Sequence, residues 1–305
     1  MKVGAARSAA TRWVAEHARP EPGFRGAYFS GSTVGLPDDA ELSPSSDVDI
    51  VVVLAGDEPP VKPGKLRFRG ALLEITYVAW ADLSSVDEVL ASYHLAGSFR
   101  HDTVIADPTG RLRALHAAVS PRFAERPWVR RRCEDALHRI ESRLAAFDTS
   151  APFHEQVTGW LFPTGVTTHV LLVAALRNPT VRQHLSELTR TFDATAAVAR
   201  TPFFFSSDLT AQARPIAVDG SRLLVDRGDH REAVFWIIAT FARCHTVLAA
   251  DAPGLHTARM PAFRAAVADL GITSTDDLLR RGAEVGRFLP RLRRTAEEIL
   301  ESASG

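Results

Sequence analysis

The chain has 305 residues, 46% of them hydrophobic, and its 36 basic and 36 acidic side chains leave no formal net charge. A chain of this length can bury a substantial core and is typical of two domains. The balanced charge excludes a surface that is basic overall, so the composition does not call for a nucleic-acid partner.

The N-terminal third of the sequence mixes helix and strand patterns. A helix is predicted at 5–18, where proline and glycine residues then stop it. The run Asp47–Leu54 is β-branched and, apart from its two aspartates, apolar on both faces, which is typical of a central strand. The other predicted elements are strands at 25–29 and 103–106, a hairpin of strands 65–69 and 71–79, and a helix from Ser84 or Ser85 towards Tyr93.

After Gly110 the strand-like alternation ends and long helical patterns take over. Helices are predicted at 111–119, 128–147, 153–176 with a break at 163–165, 180–190, 231–249, 261–270, 275–281 and 284–302. The sequence therefore predicts an α+β fold in which a small mixed-sheet domain, residues 1–115, precedes a mostly helical domain, residues 116–305.

Three features that carry chemistry follow one another in the first predicted domain. Gly31-Ser32 forms a turn after a strand, Asp47 and Asp49 open the next strand, and Glu74 lies within a later one. Strand side chains alternate with period two, so both aspartates project from the same face. Adjacent carboxylates repel each other unless a cation lies between them, and such hard oxygen ligands suit Mg²⁺. An ionised glutamate in an apolar strand also needs a partner, which a shared metal site would supply.

This order of motifs resembles the polymerase β-type nucleotidyltransferase superfamily. The small catalytic domain with a helical tail resembles, within it, the antibiotic nucleotidyltransferases that act on kanamycin and lincosamides. The resemblance implies that Asp47 and Asp49 bind the catalytic metal ions and that Glu74 is the third ligand or the general base. It also implies that the Gly31-Ser32 turn holds the triphosphate of ATP or another nucleoside triphosphate. The resemblance covers the first third of the chain, and Pro37 shortens the helix expected after Gly-Ser.

Each motif also has a plainer interpretation. An Asp-X-Asp at a strand entrance is frequently a solvated turn, Gly-Ser frequently a structural one, and Glu74 would face solvent if its strand lay at the sheet edge. Glu155, on a predicted helix, is the alternative base, although a glutamate there is more often solvated. His154 and His169 lack metal-ligand spacing and are interpreted as packing or surface residues. The run Arg130–Arg132 is interpreted as a solvated face, and the run Phe203–Phe205 as packing.

The leading functional hypothesis is transfer of a nucleoside monophosphate to a hydroxyl of a small molecule, such as an aminoglycoside-like antibiotic. One alternative is nucleotidylation of a protein, as in toxin–antitoxin pairs, and another is a non-catalytic nucleotide-binding module. The sequence does not identify the acceptor, the preferred nucleobase of the triphosphate or the oligomeric state, and a homodimer is compatible with it.

The sequence also predicts where the protein resides. Cys133 and Cys244 form no CxxC pair and are typical of buried thiols in a reduced compartment. The N-terminus has no signal-peptide pattern, and the longest apolar stretch, 233–242, is too short to span a bilayer. We therefore expect a cytoplasmic protein with no membrane partner.

Overall fold

A computed structural model describes residues 1–43, 46–58, 60, 64–176, 221–222 and 224–302. It combines a five-stranded mixed sheet with many helices, which confirms the predicted α+β class. The described chain divides into two compact units. The first contains 1–135, 172–180 and 297–305, and the second contains 136–171 and 181–296. The domain boundary predicted at 115/116 stays a prediction.

The sheet of the first unit is built from five strands: β1 (Phe24–Ser30), β2 (Val48–Leu54), β3 (Gly64–Phe68), β4 (Ala71–Ala79) and β5 (Val104–Ala106). Their order across the sheet is β3-β4-β2-β1-β5. The central pair β2 and β4 is parallel, whereas β1 pairs antiparallel with β2 and β5, and β3 pairs antiparallel with β4. The predicted central strand is thus central, and the predicted hairpin is β3–β4.

Both faces of this sheet are covered, because successive residues of β2 enter opposite cores. Val48, Ile50 and Val52 are buried with α1 (Val3–Trp13), which a π-helical turn (Val14–Ala18) extends. Val51 and Val53 are buried with residues of α2 (Val86–Ala91) and α3 (Arg111–Val119). On β2, the even-numbered side chains from Val48 to Val52 therefore pack in the core with α1, and the odd-numbered Val51 and Val53 pack in the core with α2 and α3.

Four further helices begin or end at residues that differ from those in the sequence prediction. They are α4 (Arg126–Ala145), α5 (Phe153–Ala174), α6 (His230–Asp251) and α7 (Pro253–Ala268). The last, α8 (Thr275–Ser302), joins two helices predicted separately. The predicted helix at 180–190 lies outside the described residues.

The predicted break at 163–165 is wrong, because α5 continues through Pro163. The Thr164 hydroxyl donates to the carbonyl of Leu161, 2.8 Å away, and the Thr167 hydroxyl donates to that of Thr164 at 2.7 Å. Gly165 packs closely against α6, since a β-carbon there would lie 3.0 Å from the ring of Phe235.

Two helices of the second unit, Phe153–Ala174 and Ala233–Asp251, have the length and composition of membrane spans. The apolar segment predicted to be too short for a span thus belongs to a longer helix. Both helices supply residues to the buried core of their unit, including Val157, Leu161 and Phe241. A mostly buried core helix of a soluble protein can have the same length and composition.

Candidate metal centre

The predicted acidic residues converge where β2 begins. Asp47 immediately precedes β2, and Asp49 is its second residue. In the parallel pairing of β2 with β4, Asp49 lies opposite Glu74. All three side chains lie on the opposite face of the sheet from their neighbours Val48 and Ile75, which are buried against α1. One carboxylate oxygen from each lies within 4.8 Å of the others, an arrangement that could hold a metal ion.

The carboxylates differ in their exposure to water. Asp47 is buried, with 5% of its surface accessible, whereas Asp49 and Glu74 are half-buried. Glu74 does not face solvent from an edge strand, since β4 lies between β3 and β2. Water therefore screens the mutual repulsion of these three groups only in part, and a cation among them would be stabilising.

Gly31 adjoins this cluster and has a conformation that requires glycine. Its φ angle is +71°, in the left-handed region, and a β-carbon there would lie 1.8 Å from Oδ2 of Asp49. The preceding residue, Ser30, pairs with Asp49 across β1 and β2. The 3₁₀ turn Gly31–Thr33, which contains the half-buried Ser32, therefore lies directly beside the carboxylate of Asp49.

Lys65 is a member of this cluster that sequence reasoning missed. In the β3–β4 hairpin it lies opposite Glu74, and its Nζ is 3.3 Å from Oε2 of that residue. The same ammonium forms an ion pair with Asp47. The register could have revealed this lysine: a two-residue turn at Arg69-Gly70 places Phe68 opposite Ala71, and counting outward places Lys65 opposite Glu74.

Several arginines of the first unit contact other protein groups. Arg132 is buried and donates to the carbonyls of Leu90 and Phe123, so the interpretation of its run as a solvated face is wrong for this residue. Arg130 donates twice to the carboxylate of Glu297. Arg100 donates to the carbonyl of Leu176, Arg69 forms an ion pair with Glu16, and Arg67 is exposed.

The residues weighed in the second unit have different surroundings. Glu155 lies in the first turn of α5, and its side chain is 49% exposed, as a solvated helix-face glutamate would be. His154 is fully buried, and burial lowers the pKa of His169, on the same helix, to about 4. Cys244 of this unit and Cys133 of the first unit are both buried free thiols. The run Phe203–Phe205 lies outside the described residues.

No family model matches the chain, and no curated protein matches it. Among solved structures, it is similar to a nucleotidyltransferase-like protein from Exiguobacterium sibiricum 255-15. The two are 12% identical, the match covers 85% of this chain and 77% of that one, and the TM-score is 0.29. A TM-score of this size carries no inference about the present chain.

Proposed function

We propose that this protein is a metal-dependent nucleotidyltransferase, which moves a nucleoside monophosphate from ATP or another nucleoside triphosphate to a hydroxyl group. The observation that carries the proposal is that Asp47, Asp49 and Glu74 converge beside the turn at Gly31, where a β-carbon would clash with the carboxylate of Asp49. A structural turn or cap would account for one carboxylate. It would not account for three from two neighbouring strands that lie within 4.8 Å of one another.

The donor set fits Mg²⁺. Carboxylate oxygens are the ligands that this ion takes in proteins, and it completes its shell with water and substrate phosphates. Asp47 and Asp49 would hold the ion, with Glu74 as a third ligand or as the base. When bound, the ion would stabilise charge on the reacting phosphate. The Gly31-Ser32 turn would contact the triphosphate through its backbone N–H groups and the Ser32 hydroxyl.

The reaction requires little covalent chemistry from the protein. The acceptor oxygen bonds to the α-phosphorus, the bond from that phosphorus to the bridging oxygen of the β-phosphate breaks, and pyrophosphate leaves. The hydroxyl proton goes to a carboxylate, for which Glu74 is the residue within the cluster. The chain's contribution is to hold these groups on rigid strands, which fixes their geometry better than a loop would.

We further propose that the acceptor is a small hydroxylated compound of the aminoglycoside class. This follows the sequence resemblance together with the large helical part of the chain. The purified protein should be incubated with Mg²⁺, each of the four nucleoside triphosphates and a panel of hydroxylated acceptors. We expect pyrophosphate release together with an acceptor heavier by one nucleoside monophosphate in mass spectrometry. Label found only on proteins of a cell extract would favour the protein-modifying alternative.

Asp49→Asn provides the matched variant, since it keeps the side chain's shape and removes one charge. It should abolish turnover and most of the rise in melting temperature that Mg²⁺ and a nucleotide give the parent. Saturable nucleotide binding without turnover on any acceptor would favour the non-catalytic module. A normal Mg²⁺-dependent rise in the Asn variant would exclude the metal site itself.

A further inference from the structure

The second unit contains a cluster of three histidines, one from each of three helices. His154 lies on α5, His245 on α6 and His256 on α7. The ring centroids are 5.8 Å apart for His154 and His245, 5.2 Å for His154 and His256, and 5.1 Å for His245 and His256. His154 and His245 are at most 1% exposed, and His256 is half-buried. Residues distant in sequence thus form one compact triangle of imidazoles.

Several ring nitrogens of this triangle are buried without a hydrogen-bond partner among the described residues. They are both nitrogens of His154, Nδ1 of His245 and Nε2 of His256. Leaving a buried polar atom unpaired is destabilising, so native structures nearly always supply a partner, a water or an ion. One side of the cluster is apolar, because the ring of Phe263 lies 5.0 Å from that of His245. Among the described residues these nitrogens have no hydrogen-bond partner, and one ion bound by all three rings would supply it.

We propose that His154, His245 and His256 form a binding site for a divalent transition-metal ion of the Zn²⁺ type. Three imidazoles bound to one tetrahedral Zn²⁺ at about 2.0–2.1 Å place their ring centroids about 5 Å apart. The observed separations of 5.1–5.8 Å correspond to that triangle. Imidazole nitrogen suits Zn²⁺, Cu²⁺ and Ni²⁺, whereas the carboxylate cluster of the first unit suits Mg²⁺.

The ring centroids are spaced as in a metal site, but the ring nitrogens do not point to one common centre. Only the carboxylate cluster of the described residues has ligand atoms that already converge within 4.8 Å. In a histidine the ring centroid lies nearly on the Cβ–Cγ axis, so rotation about that bond turns the nitrogens and leaves the centroid in place. Rotation of the rings about this bond would therefore change the directions of the nitrogens while keeping the centroid spacing of a metal site.

The surroundings of the cluster favour neutral imidazoles. Burial lowers the pKa of His154, and burial together with the two neighbouring rings lowers the pKa of His245 to about 4. Both rings are thus neutral near pH 7, which is the form that binds metal. The carboxylate of Glu155 lies near one of these rings, with Oε1 3.8 Å from Nε2 of His154. A metal ion bound by the three rings would tie α5, α6 and α7 together.

The site is tested with metal alone, independently of the proposed catalytic function. Protein stripped with a chelator should bind one equivalent of Zn²⁺ per chain in calorimetry, and its melting temperature should rise. Co²⁺ should give the intense visible absorption of a tetrahedral complex. His256→Gln replaces a half-buried ring and should leave the fold intact, yet weaken Zn²⁺ binding by roughly a hundredfold or more, beyond the loss typical of an outer-shell change.

Two control variants test whether Zn²⁺ binds at the three histidines and not elsewhere on the chain. His138→Gln changes an exposed histidine of α4 and should bind Zn²⁺ as the parent does. Asp49→Asn should also bind normally, because its site lies in the first unit. Stoichiometric binding that Asp49→Asn removes, or that His256→Gln leaves unchanged, would overturn the proposal. So would a stripped protein that neither binds Zn²⁺ nor changes its melting temperature with it.

Discussion

Replacing Lys65 with methionine would remove the positive charge from the carboxylate cluster while keeping most of the side chain's length. Its ammonium lies 3.3 Å from Glu74 and forms an ion pair with Asp47, whose side chain is only 8% exposed. At the effective dielectric constant near a protein surface, about 20, a unit-charge pair at this distance gains roughly 5 kcal/mol. Desolvation offsets much of that gain, so we expect a net loss of about 2–3 kcal/mol on substitution.

The loss should depend on metal, because Mg²⁺ would supply the charge that the methionine lacks. Urea unfolding of parent and Lys65→Met should therefore differ strongly in chelator and much less in Mg²⁺. Lys65→Arg keeps the charge and should lose less stability in chelator than the methionine variant does. Lys2→Met changes an exposed lysine and serves as the control for removing a charge elsewhere.

The reasoning fails if Lys65→Met and the parent unfold at the same urea concentration in chelator. It also fails if the difference between them is equal with and without Mg²⁺, since the lysine would then stabilise the fold by packing. The first outcome would mean that the three carboxylates tolerate one another without a cation between them, and the second that Mg²⁺ does not replace the lysine.

Three further predictions concern other residues. Glu74→Gln should lower turnover roughly a hundredfold or more, whereas Glu155→Gln should change it little; the reverse, measured as kcat on the identified acceptor, would place the base on α5. Arg132→Met leaves two buried carbonyls unpaired and should cost about 3 kcal/mol in urea unfolding, against little for the exposed Arg131→Met. Burial lowers the pKa of His169 from 6.5 to about 4, so the unfolded chain binds the proton first as the pH falls. His169 should therefore contribute about 2 kcal/mol to the fall in stability between pH 7 and pH 5, and His169→Gln should remove that share of the slope in urea unfolding.

Patterns local in sequence predicted the elements best. The helix at 111–119 has the bounds of α3, and Ser85 caps α2 by accepting from the backbone N–H of Glu88. The two apolar faces of Asp47–Leu54 predicted a central strand, and β2 is one. In each case the signal depends on residues that are close together in the sequence, where periodicity and capping act directly.

Features that depend on tertiary contacts were missed. Pro163 and Pro261 are typical helix boundaries, yet α5 and α7 continue through them because packing within the unit outweighs one lost hydrogen bond. The burial of Arg132 depends on carbonyls 42 and 9 residues away in sequence. No window along the chain contains that information.

The candidate site shows why its acids were predictable and their cation was not. Asp47 and Asp49 interrupt an apolar strand, and such a local contradiction is visible in the sequence. Their neighbours Val48 and Ile50 are fully buried and fix the strand, so the sheet holds the two aspartates close together. A cation must then come from outside or from the next strand, and Lys65 shows that the chain already supplies one. Because that lysine partly offsets the repulsion, the folded protein can exist without metal, while the two negative charges in excess of it still favour a divalent ion.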